Sequence, residues 1–421
     1  MDKHNLHKYC QKILRKSKEG SFRLNSLPAR LKNRILLQMA KALWQKKDYI
    51  LCQNHKDLVL AQKLNLSAAF IDRLRLDRRR VKKMSTSLKE IAALQDPVGE
   101  IMESWRRPNG ILIKKVRVPL GVIFIIYESR PNVTADCIGL SLKSSNYVIL
   151  RGGKESLNSN RAIFDILLQV AHKNGLDNPF YLVDRPDRNI IDFLLQEGVG
   201  FIDLVIPRGG EGLIKRVTEI SRVPVLKHYK GVCHIYVDES ADLNKALKIC
   251  LNAKVQRPGV CNAMETLLVH KDIAPRFLPL LEKEYQKYHV ELRGCSRTRK
   301  IIPVAKRAKE GDWYSEYLDL ILAVKVVENV EEAVAHINKY GSLHTESIIS
   351  RKKKNIDFFQ RNVLSSCVFS NISTRFSDGG EFGLGAEIGI STDKLHARGP
   401  MGVRELTTYK YLAEGNGQIR T

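Results

Sequence analysis

Apolar residues recur at helical spacing from residue 5 to about 94. Leu31, Ile35, Leu36, Met39 and Leu43 make one stripe, and Leu58, Val59, Ala61, Leu64 and Leu66 mark a second, shorter helix. The pattern changes near residue 101. Ile111–Val118 follows Pro108-Asn109-Gly110, and Asn-Gly between extended segments predicts a hairpin, here a charged and exposed one. Strand and helix patterns then alternate. Strands are predicted at 121–126, 147–150, 180–183, 201–206, 232–237, 266–269, 320–327, 346–349 and 366–369. Helices are predicted at 133–142, 156–171, 190–195, after Gly209-Gly210, and at 243–251. Short apolar strands separated by helices predict an α/β fold with parallel sheet.

The length of 421 residues allows two or three domains at about 150 residues each. Hydrophobic residues at 43% and charged residues at 27% exclude a disordered chain. No stretch is apolar for long enough to predict a transmembrane helix. The polar start Met1-Asp2-Lys3-His4 lacks the apolar segment of a secretory signal. The eight cysteines are scattered without a CxxC, so they are expected as reduced thiols in the cytoplasm. His4, His7 and Cys10 have a spacing a metal can use but no second half, so no metal site is expected.

Seventy Lys and Arg against 45 Asp and Glu leave a net charge of +25. Residues 1–100 hold 23 basic and 9 acidic side chains, a difference of +14. The runs Arg78-Arg79-Arg80 and Arg351-Lys352-Lys353-Lys354 raise a nucleic-acid patch. Aromatic residues reach only 7% and do not interleave with the basic runs, so a solvated helix face is the preferred reading. An anionic small substrate also suits the charge.

A GxGxxG turn after the first strand is absent, and Gly383-Leu-Gly385-Ala-Glu-Ile-Gly389 has the wrong spacing and context. Two other strand-to-helix turns, Leu150-Arg151-Gly152-Gly153-Lys154 and Ile206-Pro207-Arg208-Gly209-Gly210, combine Arg with glycine, as phosphate binding requires. Cys261 lies in Gln256-Arg257-Pro258-Gly259-Val260-Cys261-Asn262. It is expected at a loop-to-helix junction, where the helix dipole and Arg257 would favour the thiolate. A buried, inert cysteine is the competing reading. Cys233 and Cys250 read as core residues.

These segments, with Ile126-Tyr-Glu-Ser-Arg-Pro-Asn-Val133, Gly231-Val-Cys-His-Ile-Tyr-Val-Asp238, Ser373-Thr-Arg-Phe-Ser-Asp-Gly-Gly380 and His396-Ala-Arg-Gly-Pro400, resemble the gamma-glutamyl phosphate reductases. That family is a branch of the aldehyde dehydrogenase superfamily, and the similarity runs in order from about residue 27 to 412. The resemblance implies a Rossmann-like cofactor domain, an α/β catalytic domain and a small oligomerisation element. The corresponding segments are 1–240 with the hairpin 101–118, 241–380 carrying Cys261, and 381–421 returning to the cofactor domain and the oligomer interface. It implies NADPH-dependent reduction of L-glutamyl 5-phosphate to L-glutamate 5-semialdehyde, the second step from glutamate to proline. It also implies a homo-oligomer and raises a transient contact with glutamate 5-kinase.

Residue by residue, Cys261 matches the family nucleophile, and its backbone N–H or Asn132 would hold the oxyanion. Arg151 matches a basic position near the adenosine ribose, which favours NADP. Arg208, Gly209 and Gly210 match the pyrophosphate turn, and Glu316 the acid on the nicotinamide-side ribose. Thr374 and Arg375 are candidates for the substrate carboxylate, and Arg257 or Arg130 for its phosphate. Val223–Val237 contains no Asp or Glu, where relatives that hydrolyse the thioester keep an acid to activate water. Glu265, one helical turn past Cys261, is a candidate proton carrier or supporting residue. The rival functions are an aldehyde dehydrogenase acting on another acyl phosphate or aldehyde, including one releasing a free acid, and a basic nucleic-acid-binding protein without catalysis.

Overall fold

The structure is a computed structural model that describes residues 3–227 and 230–420. The chain divides into two compact units: Met1–His228 with Gly383–Gly389 and Met401–Thr421, and Tyr229–Phe382 with Ile390–Pro400.

The first unit begins with helices α1 (Lys3–Asn25), α2 (Ala29–Gln45), α3 (Lys47–Lys63), α4 (Ala68–Leu74) and α5 (Arg78–Ala93). In α2, Ile35, Leu36, Met39 and Leu43 are buried, as their spacing predicts. The predicted stripe in α3 is different: Val59 and Leu64 are exposed, while Asn54 and Asp57 are buried. Both polar groups bind backbone. Asn54 Oδ1 accepts the Leu76 N–H at 2.8 Å, and Asp57 Oδ2 accepts the Ser159 N–H at 2.8 Å. Bonds across 22 and 102 residues thus override the apolar pattern.

Strands β1 (Ile101–Arg106) and β2 (Leu112–Pro119) form the predicted hairpin, with Gly110 at φ 88° in its turn. The chain continues through β3 (Val122–Tyr127), α6 (Asn132–Lys143), β4 (Tyr147–Arg151), α7 (Leu157–Lys173), β5 (Phe180–Leu182), α8 (Arg188–Glu197), β6 (Leu204–Arg208) and α9 (Glu211–Ile220). The parallel sheet has the order β5-β4-β3-β6. Strand order reverses at β3, and the crevice outside the carboxyl ends at such a point is where α/β sheets bind ligands. The last strand, β16 (Thr407–Glu414), pairs antiparallel with β2.

The second unit contains β7 (Cys233–Val237), α10 (Leu243–Val255), β8 (Met264–His270), α11 (Ala274–Gln286), β9 (Glu291–Gly294), α12 (Ser296–Ile301), β10 (Lys306–Arg307), β11 (Ile321–Val327), α13 (Val330–Tyr340), β12 (Thr345–Ile349), α14 (Lys353–Asn362) and β13 (Cys367–Ser370). The short pair β14 (Ile390–Ser391) and β15 (Gly399–Pro400) completes it. Its seven-stranded parallel sheet has the order β10-β9-β11-β8-β7-β12-β13. Successive residues of a strand face opposite sides, so Ile235 and Val237 join one core and Tyr236 the other. Residues 233–237, read with the first segment in sequence, pair with β8 and β12 here. Among the described residues no helix is long and apolar enough to cross a membrane.

Candidate active site

Cys261 sits in the turn between α10 and β8, half-buried. Pro258 lacks a backbone N–H and ends the preceding helix. A strand follows, not a helix, so the expected helix dipole does not act on the thiol. Positive charge remains. Arg375, in the short helical turn Thr374–Phe376, interacts electrostatically with both Arg257 and Cys261. Burial, then the like charge of Arg257, lower Arg375 from its ordinary value, and Cys261 opposes both. The Arg375 Nε donates to Gln256 Oε1 at 2.9 Å, which fixes the plane of the guanidinium.

The backbone around Cys261 is held at close range. Its carbonyl accepts the Cys233 Sγ–H at 3.2 Å. A Cβ on Gly231 would stand 1.8 Å from the same oxygen, so only glycine fits there. The Gly231 N–H donates to Glu316 Oε1 at 2.9 Å. Glu316, expected at a ribose, holds the entry to β7 beside Cys261. Asn262 Nδ2 donates to the Ser377 carbonyl at 2.8 Å, joining the cysteine turn to the 374–377 segment. Thr374 is fully buried and its hydroxyl has no hydrogen-bond partner. The second unit therefore assembles Cys261, Arg257, Glu316, Thr374 and Arg375.

Glu265 lies in β8 rather than one helical turn past Cys261. It is completely buried against Lys254, with Oε2 2.6 Å from Nζ. Its Oε1 accepts the Leu318 N–H at 3.2 Å, two residues beyond Glu316. Burial pushes the Glu265 carboxyl up to about 7 and Lys254 down, and their contact opposes both shifts.

The first unit holds the remaining residues. Strand pairing sets Arg151 opposite Ile126 and Arg208 opposite Tyr127, so the two arginines flank the carboxyl end of β3. Arg151 is buried, with hydrogen bonds to the Gly152 and Pro186 carbonyls and a partnerless Nε. The Gly210 N–H, at the start of α9, donates to Glu128 Oε2 at 2.9 Å. A Cβ on Gly209 would lie 2.6 Å from the Glu128 carboxylate. An anion is thus already received at the turn predicted for pyrophosphate, from an exposed side chain. Two arginines, a glycine turn that admits an anion and the switch point of a parallel sheet fit a dinucleotide.

Arg130 is exposed in the loop after β3. Asn132 opens α6 and donates Nδ2 to Asp136 Oδ2 at 3.2 Å, so one of its two amide N–H groups is turned onto its own helix. The sequence reading missed Glu128, Gln256, Asn262 and Gly231. Each adjoins a residue it had singled out, and adjacency to those turns is the signal that was available.

The aldehyde dehydrogenase family profile matches residues 6–312. A gamma-glutamyl phosphate reductase from Caldanaerobacter subterraneus subsp. tengcongensis is 56% identical over 407 residues, 96% of this chain and 98% of the relative. The crystal structure of gamma-glutamyl phosphate reductase from Thermotoga maritima is 44% identical with a TM-score of 0.95, covering 98% of this chain and 100% of that one. An engineered glycolyl-CoA reductase with bound NADP+ is 12% identical with a TM-score of 0.68 over 96% of each chain, which shows the shared fold. On this evidence the chain belongs to the aldehyde dehydrogenase family, within its gamma-glutamyl phosphate reductase branch.

Proposed function

We propose that this chain reduces L-glutamyl 5-phosphate to L-glutamate 5-semialdehyde with NADPH, releasing phosphate, as the second step from glutamate to proline; the relatives named gamma-glutamyl phosphate reductase support the reading. The observation that carries the reading is a half-buried cysteine in the electrostatic reach of Arg375, beside Arg257. The thiolate of Cys261 attacks the acyl carbon, the C–O bond to phosphate breaks, and a thioester forms. Arg257 and Arg375 offset the charge of the leaving phosphate and the substrate carboxylate. The thioester carbon on Cys261 accepts the hydride that a bound reduced nicotinamide would supply and becomes a thiohemiacetal. Collapse of the thiohemiacetal breaks the C–S bond, releases the aldehyde and returns the thiolate. The Cys261 N–H, and Asn132 through its second amide N–H, are the proposed oxyanion donors. Arg151 supports NADP as a buried guanidinium whose hydrogen bonds go to carbonyls and whose field is shared with Glu155, so that a 2′-phosphate would add the second anion. Arg208, Gly209 and Gly210 would receive the pyrophosphate, and Glu316 the nicotinamide-side ribose.

The test is the reverse reaction. Glutamate 5-semialdehyde with NADP+ is expected to give NADPH only when inorganic phosphate is present, because phosphate must take the acyl group from sulfur. An equal rate without phosphate would show hydrolysis to glutamate and overturn the reading. We further propose a homo-oligomer built on the sheet β1-β2-β16. Ile101, Met102 and Trp105 on one of its edge strands and Tyr409, Tyr411 and Leu412 on the other are exposed. Sedimentation at micromolar protein is expected to show a multiple of the 47.9 kDa chain, and a monomer would contradict it. A transient contact with glutamate 5-kinase and a cytoplasmic location belong to the same reading.

A further inference from the structure

We infer that Asn262 recognises the α-ammonium group of the substrate and makes the enzyme selective for an amino acid over its desamino analogue. The inference rests on the proposed reaction. Asn262 is 5% exposed and follows the nucleophile directly. Its amide orientation is set by its surroundings: Nδ2 donates to the Ser377 carbonyl, and the reverse orientation would face two oxygens toward each other. Oδ1 is thereby committed as an acceptor, yet it is buried with no donor. Buried polar groups in folded proteins almost always find a partner, so an acceptor held in this way calls for a ligand that donates.

The neighbouring groups define what that ligand is. Arg375 and the partnerless hydroxyls of Thr374 and Ser377 lie on the segment that Asn262 grips, and Arg375 reaches Cys261 electrostatically. Guanidinium and hydroxyls suit a carboxylate. A neutral amide oxygen suits the adjacent ammonium, which it accepts without drawing the arginines into an ion pair of the protein's own. Together they read a carboxylate and an ammonium on one carbon. Asp378 is the carboxylate in Arg375's field, beside the thiols of Cys261 and Cys233. It is exposed, and its Oδ1 accepts the Gly380 N–H at 2.9 Å, so it is less committed to the task.

The experiment compares glutamate 5-semialdehyde with 5-oxopentanoate, which lacks the amino group, in the phosphate-dependent reverse assay, each concentration being that of the open-chain aldehyde because the amino group of the first closes reversibly on its own aldehyde. The wild-type ratio of kcat/KM is expected to favour the amino substrate by about 10- to 100-fold. Asn262→Leu is expected to bring that ratio close to one, whereas Asp378→Asn should preserve it. No preference in the wild type overturns the inference before any variant is made, which covers the case of a variant that does not fold. A variant that loses rate on both aldehydes with the ratio intact overturns it too, as does a ratio that collapses in Asp378→Asn instead. Absence of phosphate-dependent turnover for either aldehyde would instead remove the underlying reaction.

Discussion

Cys261→Ala is expected to lower NADPH-dependent turnover by at least about 10⁴-fold, because removal of a covalent nucleophile leaves only positioning and charge stabilisation. Cys233 and Cys250, in the same unit, cannot take over. Cys233 is completely buried, its Sγ–H is bonded to the Cys261 carbonyl, and burial raises its thiol well above the usual range. Cys250 is also buried, and burial raises it likewise. A thiol so held is neither accessible nor ionised at neutral pH. Arg151, Arg208, Gly209 and Gly210 lie in the other unit, and the substitution leaves Glu316 in place, so cofactor binding should survive. The check is paired: loss of absorbance at the nicotinamide band for turnover, and fluorescence titration with NADPH for binding. Turnover retained in the variant would refute the nucleophile.

Lys254→Met is expected to cost about 3–5 kcal/mol of stability at alkaline pH, the range for breaking a buried ion pair from one side, and less at neutral pH. It strands Glu265 at zero exposure with Leu318 N–H as its remaining hydrogen bond. The pH dependence has a definite sign. In the wild type, burial raises Glu265 from its ordinary 4.5 to about 7, so the folded state holds a proton that the unfolded chain has lost. The stability contributed by that proton is fully present below about pH 4.5 and is lost as pH rises through about 7. Removing the lysine raises the carboxyl further and carries the loss to higher pH. Glu265→Gln should flatten the slope over the same interval. Melting temperatures of the three proteins across this range test it, and a deficit of Lys254→Met that is constant with pH would refute it. Because Glu265 also holds the Leu318 N–H, the loop carrying Glu316 should loosen in the same variant.

The chemistry near Cys261 was legible in sequence only where a short segment contains all of it. Cys261, Arg257 and the Pro258-Gly259 break stand together, as do Arg208, Gly209 and Gly210. Arg375 was legible as a charged residue but not as the neighbour of the thiol, since Gln256 holds it from 119 positions away. The helix expected after Cys261 is a strand because Met264–His270 is claimed by pairing to β7 and β11 on either side. A short apolar run reads alike as buried helix or buried strand, and the partners decide. The same holds for 407–414, which no local signal marked as a strand and which β2 recruits from nearly three hundred residues away.

The amino-acid order alone determined the alternation of strands and helices, the exposed Asn109-Gly110 hairpin, the candidate nucleophile and the family. Each of these is written in local periodicity, in turn residues or in short motifs, and local backbone preferences act over a few residues. Tertiary structure decided which charges meet the sulfur, which glycine must lack a side chain, that Glu265 is paired and buried, and that Asn262 keeps an acceptor in reserve. Those properties depend on desolvation and on contacts between distant segments, which exist only once the sheets have closed around them.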